Sequence, residues 1–136
     1  MAKLNPYLTF SNNQCTDAMN FYKECLGGEL TLMSVKGSPM ESQMPPQYHN
    51  SIMHSVLKTN DLEIMASDLS PEAVKEGNDN HLCLSFSNEA EARKIFDALS
   101  AGGKVGHPLS EMFFGILGDF IDKYGKRWMV VCEKAK

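Results

Sequence analysis

Two stretches of this chain say nearly the same thing. Residues 8–30 read LTFSNNQCTDAMNFYKECLGGEL, and residues 84–105 read LSFSNEAEARKIFDALSAGGKV. Each passes from a strand-like apolar stretch through Phe-Ser-Asn into a helix-like stretch, then Gly-Gly, then a new apolar start. Phe10 and Phe86 lie 76 positions apart, and Gly27 and Gly102 lie 75 apart. A period this long is not that of a solenoid. It divides the 136 residues into two half-length modules of one design, about 1–70 and about 78–136, within what length alone reads as a single domain.

Local patterning gives each module the same order. In module one, NPYLTF is a short strand with Asn5, Tyr7 and Thr9 on one face and Leu8 and Phe10 on the other. Thr16 or Asp17 can cap a helix whose apolar residues Ala18, Phe21, Tyr22, Cys25 and Leu26 recur with helical spacing. Gly27-Gly28 ends it, ELTLMSV is a strand, and KGSPMESQMPPQYHN, with three prolines, is a long loop. SIMHSVLKTNDLEIMAS is a hairpin turning at Thr59-Asn60-Asp61. The polar run DLSPEAVKEGNDN is the module junction.

Module two repeats this. HLCLSF is a strand, and a helix with Asn88 as cap buries Ala92, Ile95, Phe96 and Leu99. KVGHPLS, MFFGILGDFID and RWMVVCE are further strands, with Gly125 in the last turn. The element order is βαβββ, twice, an α+β chain.

A chain this long buries roughly two-thirds of its unfolded surface and needs no metal or disulfide to fold. A mean hydropathy of −0.28 is that of an ordinary globular protein. The net charge of −4 argues against a non-specific nucleic-acid binder, and no apolar run approaches the roughly 18 residues of a membrane span. Cys15, Cys25, Cys83 and Cys132 form no C-x-x-C pair. Cys83 and Cys132, in apolar runs, are expected to be buried thiols. With no signal-like start, the expected compartment is the reducing cytoplasm.

The motifs PYLTF (6–10), AMNFYKECLGGEL (18–30), HLCLSF (81–86), PLSEMFFG (108–115) and DKYGKRWM (122–129), in this order and spacing, resemble the vicinal oxygen chelate superfamily. That group includes glyoxalase I, bleomycin-resistance proteins, fosfomycin-resistance enzymes and extradiol dioxygenases; the likeness is strongest to its PhnB-like branch. Phe114 departs from the pattern, since many relatives have tryptophan there. The resemblance implies two curled mixed sheets enclosing a funnel-like cavity, a small-molecule ligand, and a homodimer.

Metal-using members hold a divalent ion with His and Glu on inward-facing strand positions, leaving sites open for two neighbouring substrate oxygens. His81 matches one such histidine. Its counterpart in module one is Asn5 or Tyr7, depending on the register, and neither is histidine. The two glutamate positions fall at Met65 and Met129. Thioether is a poor ligand for such ions and cannot be a general base. The resemblance therefore points to a binding protein without the usual metal site and with no assigned catalytic residue. Tyr7, His54, Met65, His81, Phe114 and Met129 are the expected ligand-site residues, with His81 the one candidate metal ligand. The competing reading is a metal-dependent lyase, isomerase or dioxygenase that uses His81 with Glu63 or Glu133, which share a face with Met65 and Met129 by parity.

Several residues have plainer readings. His54 is mid-strand and suits a structural donor as well as an acid or base. His49 and His107, beside prolines, read as solvated loop residues, and Glu111 reads as a solvated edge residue. Trp128 is expected in the core or at a dimer seam. Met40, Met44 and Tyr48 in the long loop fit either a lid or a dimer contact. LGGE and AGGK end helices and so build no phosphate site. PhnB-like sequences are often labelled as ubiquinone methyltransferases, but this chain has no Gly-rich strand–helix turn to bind a nucleotide.

Overall fold

The computed structural model describes residues 2–70 and 72–134. Its contacts divide the chain into Met1–Lys75 and Glu76–Lys136, inside the expected junction. The elements of the first unit are β1 (Tyr7–Thr9), α1 (Cys15–Leu26), β2 (Glu29–Ser34), β3 (Ile52–Lys58) and β4 (Glu63–Ser67). Those of the second are β5 (Leu82–Phe86), α2 (Glu89–Ser100), β6 (Lys104–Met112), β7 (Gly115–Ile121) and β8 (Arg127–Glu133). Each unit holds a four-stranded mixed sheet, ordered β1-β4-β3-β2 and β5-β8-β7-β6. In both, the first strand pairs in parallel with the last and the remaining pairs are antiparallel. The repeat in the sequence is thus a repeat of topology.

One helix packs against one face of each sheet, and strand alternation decides which side chains meet it. In the first unit Phe10, Leu57, Ile64 and Ala66 are buried together with Ala18, Met19 and Tyr22 of α1. In the second, Ile116, Phe120, Trp128 and Val130 are buried with Ala92, Ile95, Phe96 and Leu99 of α2, as the helical spacing predicts. Phe96 meets Phe120 edge-on at 5.0 Å, and Phe120 stacks on Trp128 at 6.5 Å. Trp128 can be buried because its indole N–H donates to Asp122 Oδ2 at 2.8 Å. The other oxygen of Asp122 accepts the N–H groups of Tyr124 and Lys126, which shapes the β7–β8 turn around Gly125 (φ 86°).

The structure corrects several expectations. Neither Thr16 nor Asp17 caps α1. The helix starts two or three residues earlier than either cap would place it, at Cys15, whose N–H donates to Asp68 Oδ1 at 2.9 Å. Asp68 Oδ2 also accepts the N–H of Ile52 at 2.8 Å, so a residue read as junction ties α1 to β3. Asn88 does cap α2, accepting from the N–H of Glu91. The strand read as MFFGILGDFID begins only at Gly115. Met112 ends β6 and pairs with Gly115, which leaves Phe113 and Phe114 in the hairpin turn.

Cys132 is buried, but Cys83 is exposed. Leu82, Leu84 and Phe86 take the helix side of β5, so alternation sends Cys83 to the opposite face. His107 is not a loop residue. It lies within β6, where Nδ1 is 2.8 Å from Asp119 Oδ2 across the β6–β7 pair. His49 is half-buried rather than solvated, with Nε2 3.0 Å from the carbonyl of Met44. The long loop contains two short 3-10 turns, Glu41–Gln43 and Pro46–Tyr48. Among the described residues, no helix is long and apolar enough to cross a membrane.

Candidate functional site

The face of each sheet that turns away from its helix is built by alternation from the residues that skip the core. In the first unit Tyr7 of β1 is the partner of Met65 in β4, which is the partner of Val56 in β3, which is the partner of Thr31 in β2. These four form one row across the open face. His54 stands two residues from Val56 and therefore shares the face. Its Nδ1 and the Tyr7 hydroxyl share a hydrogen bond of 3.1 Å, and the two rings stack at 5.7 Å with 25° between their planes. Tyr7 remains 51% exposed. The structure thus brings together Tyr7, His54 and Met65, three of the residues singled out in the sequence. Glu63, on the same face, is engaged by the Lys3 ammonium at 3.1 Å.

The second unit has the corresponding row. Cys83 of β5 is the partner of Met129 in β8, Met129 is the partner of Asp119 in β7, and Asp119 is the partner of His107 in β6. Because Tyr7 partners Met65 as Cys83 partners Met129, Tyr7 is the counterpart of Cys83. Asn5, two residues earlier, is then the counterpart of His81, which resolves the choice the sequence left open. His81 is exposed and precedes β5 by one residue. Phe114 is not in these rows. It sits in the β6–β7 turn with its ring edge-on to Phe113 at 5.2 Å, and its carbonyl accepts the N–H of Lys134.

Sequence reasoning missed the His107–Asp119 pair. The signal was present as alternation in GILGDFI, which puts Asp119 on the face opposite Ile116 and Phe120. The partner was hidden because β6 is irregular, with register breaks on both sides of His107. Gly106 makes room for the pair, since a Cβ there would run into the Asp119 carboxylate.

A cavity of about 530 Å³ lies in the second unit where the start of α2 meets the end of β8. Asn88, Glu111, Gly115, Cys132, Glu133 and Lys134 are among its lining residues. Glu133 and Glu111 therefore belong to this end of the unit. Leu82 aligns with Trp128 and Phe86 with Cys132, so Glu133 lies six positions along the strands from His81. At about 3.3 Å per residue that is roughly 20 Å, beyond the reach of a shared ion in this unit. Among the described residues no three His, Cys, Asp or Glu side chains gather closely enough to hold a metal ion.

Comparison with known proteins bears on this geometry. Residues 5–130 match the family model described as Glyoxalase/Bleomycin resistance protein/Dioxygenase superfamily. The chain is 30% identical to Protein YjdN of Escherichia coli (strain K12), over 93% of this chain and 92% of that protein. Its structure is similar to that of protein PA1353 from Pseudomonas aeruginosa, with a TM-score of 0.83, 31% identity, and coverage of 98% of this chain and 100% of that one. It also shares its fold with a Bacillus cereus PhnB protein described as a putative 3-demethylubiquinone-9 3-methyltransferase, with a TM-score of 0.71, 22% identity, and coverage of 96% and 99%.

Proposed function

The chain belongs to the glyoxalase/bleomycin resistance protein/dioxygenase superfamily, and from that premise we propose that it is a PhnB-like protein that binds a small apolar or aromatic molecule on its open sheet faces without a divalent metal. The observation that carries this reading is the pair of methionines, Met65 and Met129, each in the row beside the first strand of its unit. The four positions that correspond to the metal ligands of relatives hold Asn5, Met65, His81 and Met129. An amide, two thioethers and one imidazole do not fit a hard or borderline divalent ion.

Thioethers do suit an adaptable apolar surface, since methionine is flexible and polarizable. The Tyr7–His54 stack adds a flat aromatic wall with polar tips, the usual make-up of a small-molecule site. A homodimer and a cytoplasmic location complete the proposal, on the strength of the family resemblance.

Two measurements test it. Elemental analysis of purified protein should find no stoichiometric Zn, Ni, Mn or Fe, and none of these ions should raise the melting temperature. A melting shift with one of them that disappears in His81→Ala would overturn the metal-free reading. Anilinonaphthalene sulfonate, an apolar aromatic probe, should bind and fluoresce, with at least about tenfold weaker binding when Tyr7→Ala and Met65→Glu are combined. Equal binding by that variant would remove the open face of the first unit as the ligand site.

A further inference from the structure

The two units carry the same methionine at the same place in the row, but its neighbours differ. In the first unit the partner of Met65 is Tyr7 and the residue two before it is Asn5. In the second the partner of Met129 is Cys83 and the residue two before it is His81. Cys83 is an exposed free thiol, His81 is exposed, and Met129 is half-exposed. Parallel partners sit about 4.8 Å apart and project their side chains from the same face. A thiol and a thioether at that spacing can both reach one ion between them. His81 precedes β5 by one residue and stands two positions before Cys83, about 6.6 Å away along an extended chain and within the reach of an imidazole.

We propose that His81, Cys83 and Met129 form a site for a soft monovalent cation, Cu(I), on the open face of the second unit. The replacement that makes the family position unsuitable for a divalent ion makes it suitable for a soft one. Thiolate and thioether select Cu(I), and imidazole accepts it as well. On binding, the Cys83 thiol releases its proton to solvent and a copper–sulfur bond forms with no change in oxidation state. Arg127, two residues before Met129, donates from Nε to the carbonyl of Gly77 at 2.7 Å. The first unit has Tyr7 and Asn5 at the equivalent places, and its imidazole, His54, is hydrogen-bonded to Tyr7; without the thiol it should not bind. This inference shares Met129 and His81 with the apolar-ligand reading but turns on Cys83 and a soft monovalent ion, so loss of copper binding in Cys83→Ser tests it alone, while binding of anilinonaphthalene sulfonate tests that reading.

The test is anaerobic titration of the whole chain with Cu(I) supplied as its bicinchoninate complex. The protein should withdraw one equivalent. Cys83→Ser should abolish the withdrawal, and Met129→Leu and His81→Gln should each weaken it at least about tenfold. Cys25→Ser should leave it unchanged, and circular dichroism melts should show each variant folded. X-ray absorption of the loaded protein should show two sulfur neighbours. Full binding by Met129→Leu would overturn the site by leaving Cys83 as an unassisted thiol, and binding that survives Cys83→Ser would overturn it by assigning the copper elsewhere.

Discussion

Asp68 joins two segments with one carboxylate. Its oxygens accept the N–H of Cys15, which begins α1, and the N–H of Ile52, which begins β3. Asp68→Ala leaves both donors without that partner and should cost about 1–3 kcal/mol in urea unfolding, with Asp68→Asn recovering part of the loss. The same carboxylate bears on Cys15. Burial raises the Cys15 thiol from 9.0 to about 11, the charge of Asp68 adds to the rise, and the Ser55 hydrogen bond opposes it. The unfolded thiol ionises near pH 9 and the folded one near 11. The stability contributed by the neutral thiol is therefore full below pH 9 and is lost as pH climbs through 11. The wild type should lose more stability than Cys15→Ala between pH 9 and 11, and equal losses would show that Cys15 does not titrate in that window. Thiol reagents at pH 8 should label Cys83 in the native state and Cys15 only after unfolding.

At the scale of elements, the hairpins position the open faces. Gly115 opens β7 at φ 148°, and a Cβ there would run into the carbonyl of Cys132 on β8. No side chain fits at that approach, so Gly115→Ala must either push β7 from β8 or distort the Phe113–Phe114 turn. A loss of at least about 2 kcal/mol is expected in denaturant unfolding, and a change below 0.5 kcal/mol, roughly that of a neutral surface site, would contradict the close approach. Both helices and the strand alternation were legible, because each depends on residues within a few positions of one another. The β6–β7 boundary was not. Phe113 and Phe114 are apolar and look like strand, yet Phe113 is 92% exposed in the turn, because pairing of Met112 with Gly115 closes the hairpin beneath it.

At the scale of the whole molecule, the proposed homodimer predicts a mass of about 30 kDa by light scattering, twice the chain mass of 15.1 kDa. A mass of one chain at micromolar concentration would remove that part of the proposal. The two units share one topology but differ in what their open faces carry. The first has a stacked Tyr7–His54 pair, and the second has Cys83, Met129 and the His107–Asp119 pair. The duplicated fold thus holds two chemically different surfaces, and substitutions on one should leave the properties of the other in place.

The sequence by itself determined the duplication, the βαβββ order and the helix faces. These follow from periodicity and from residue type, which are local properties. Only the tertiary structure decided which residues meet across strands. It made Asp68 the cap of α1, paired His107 with Asp119, identified Asn5 as the counterpart of His81, and exposed Cys83. Each of these depends on strand register or on a contact between residues 12 to 53 positions apart, or on which face of a sheet a helix covers. No local pattern encodes such pairings, because they arise only when the chain closes on itself.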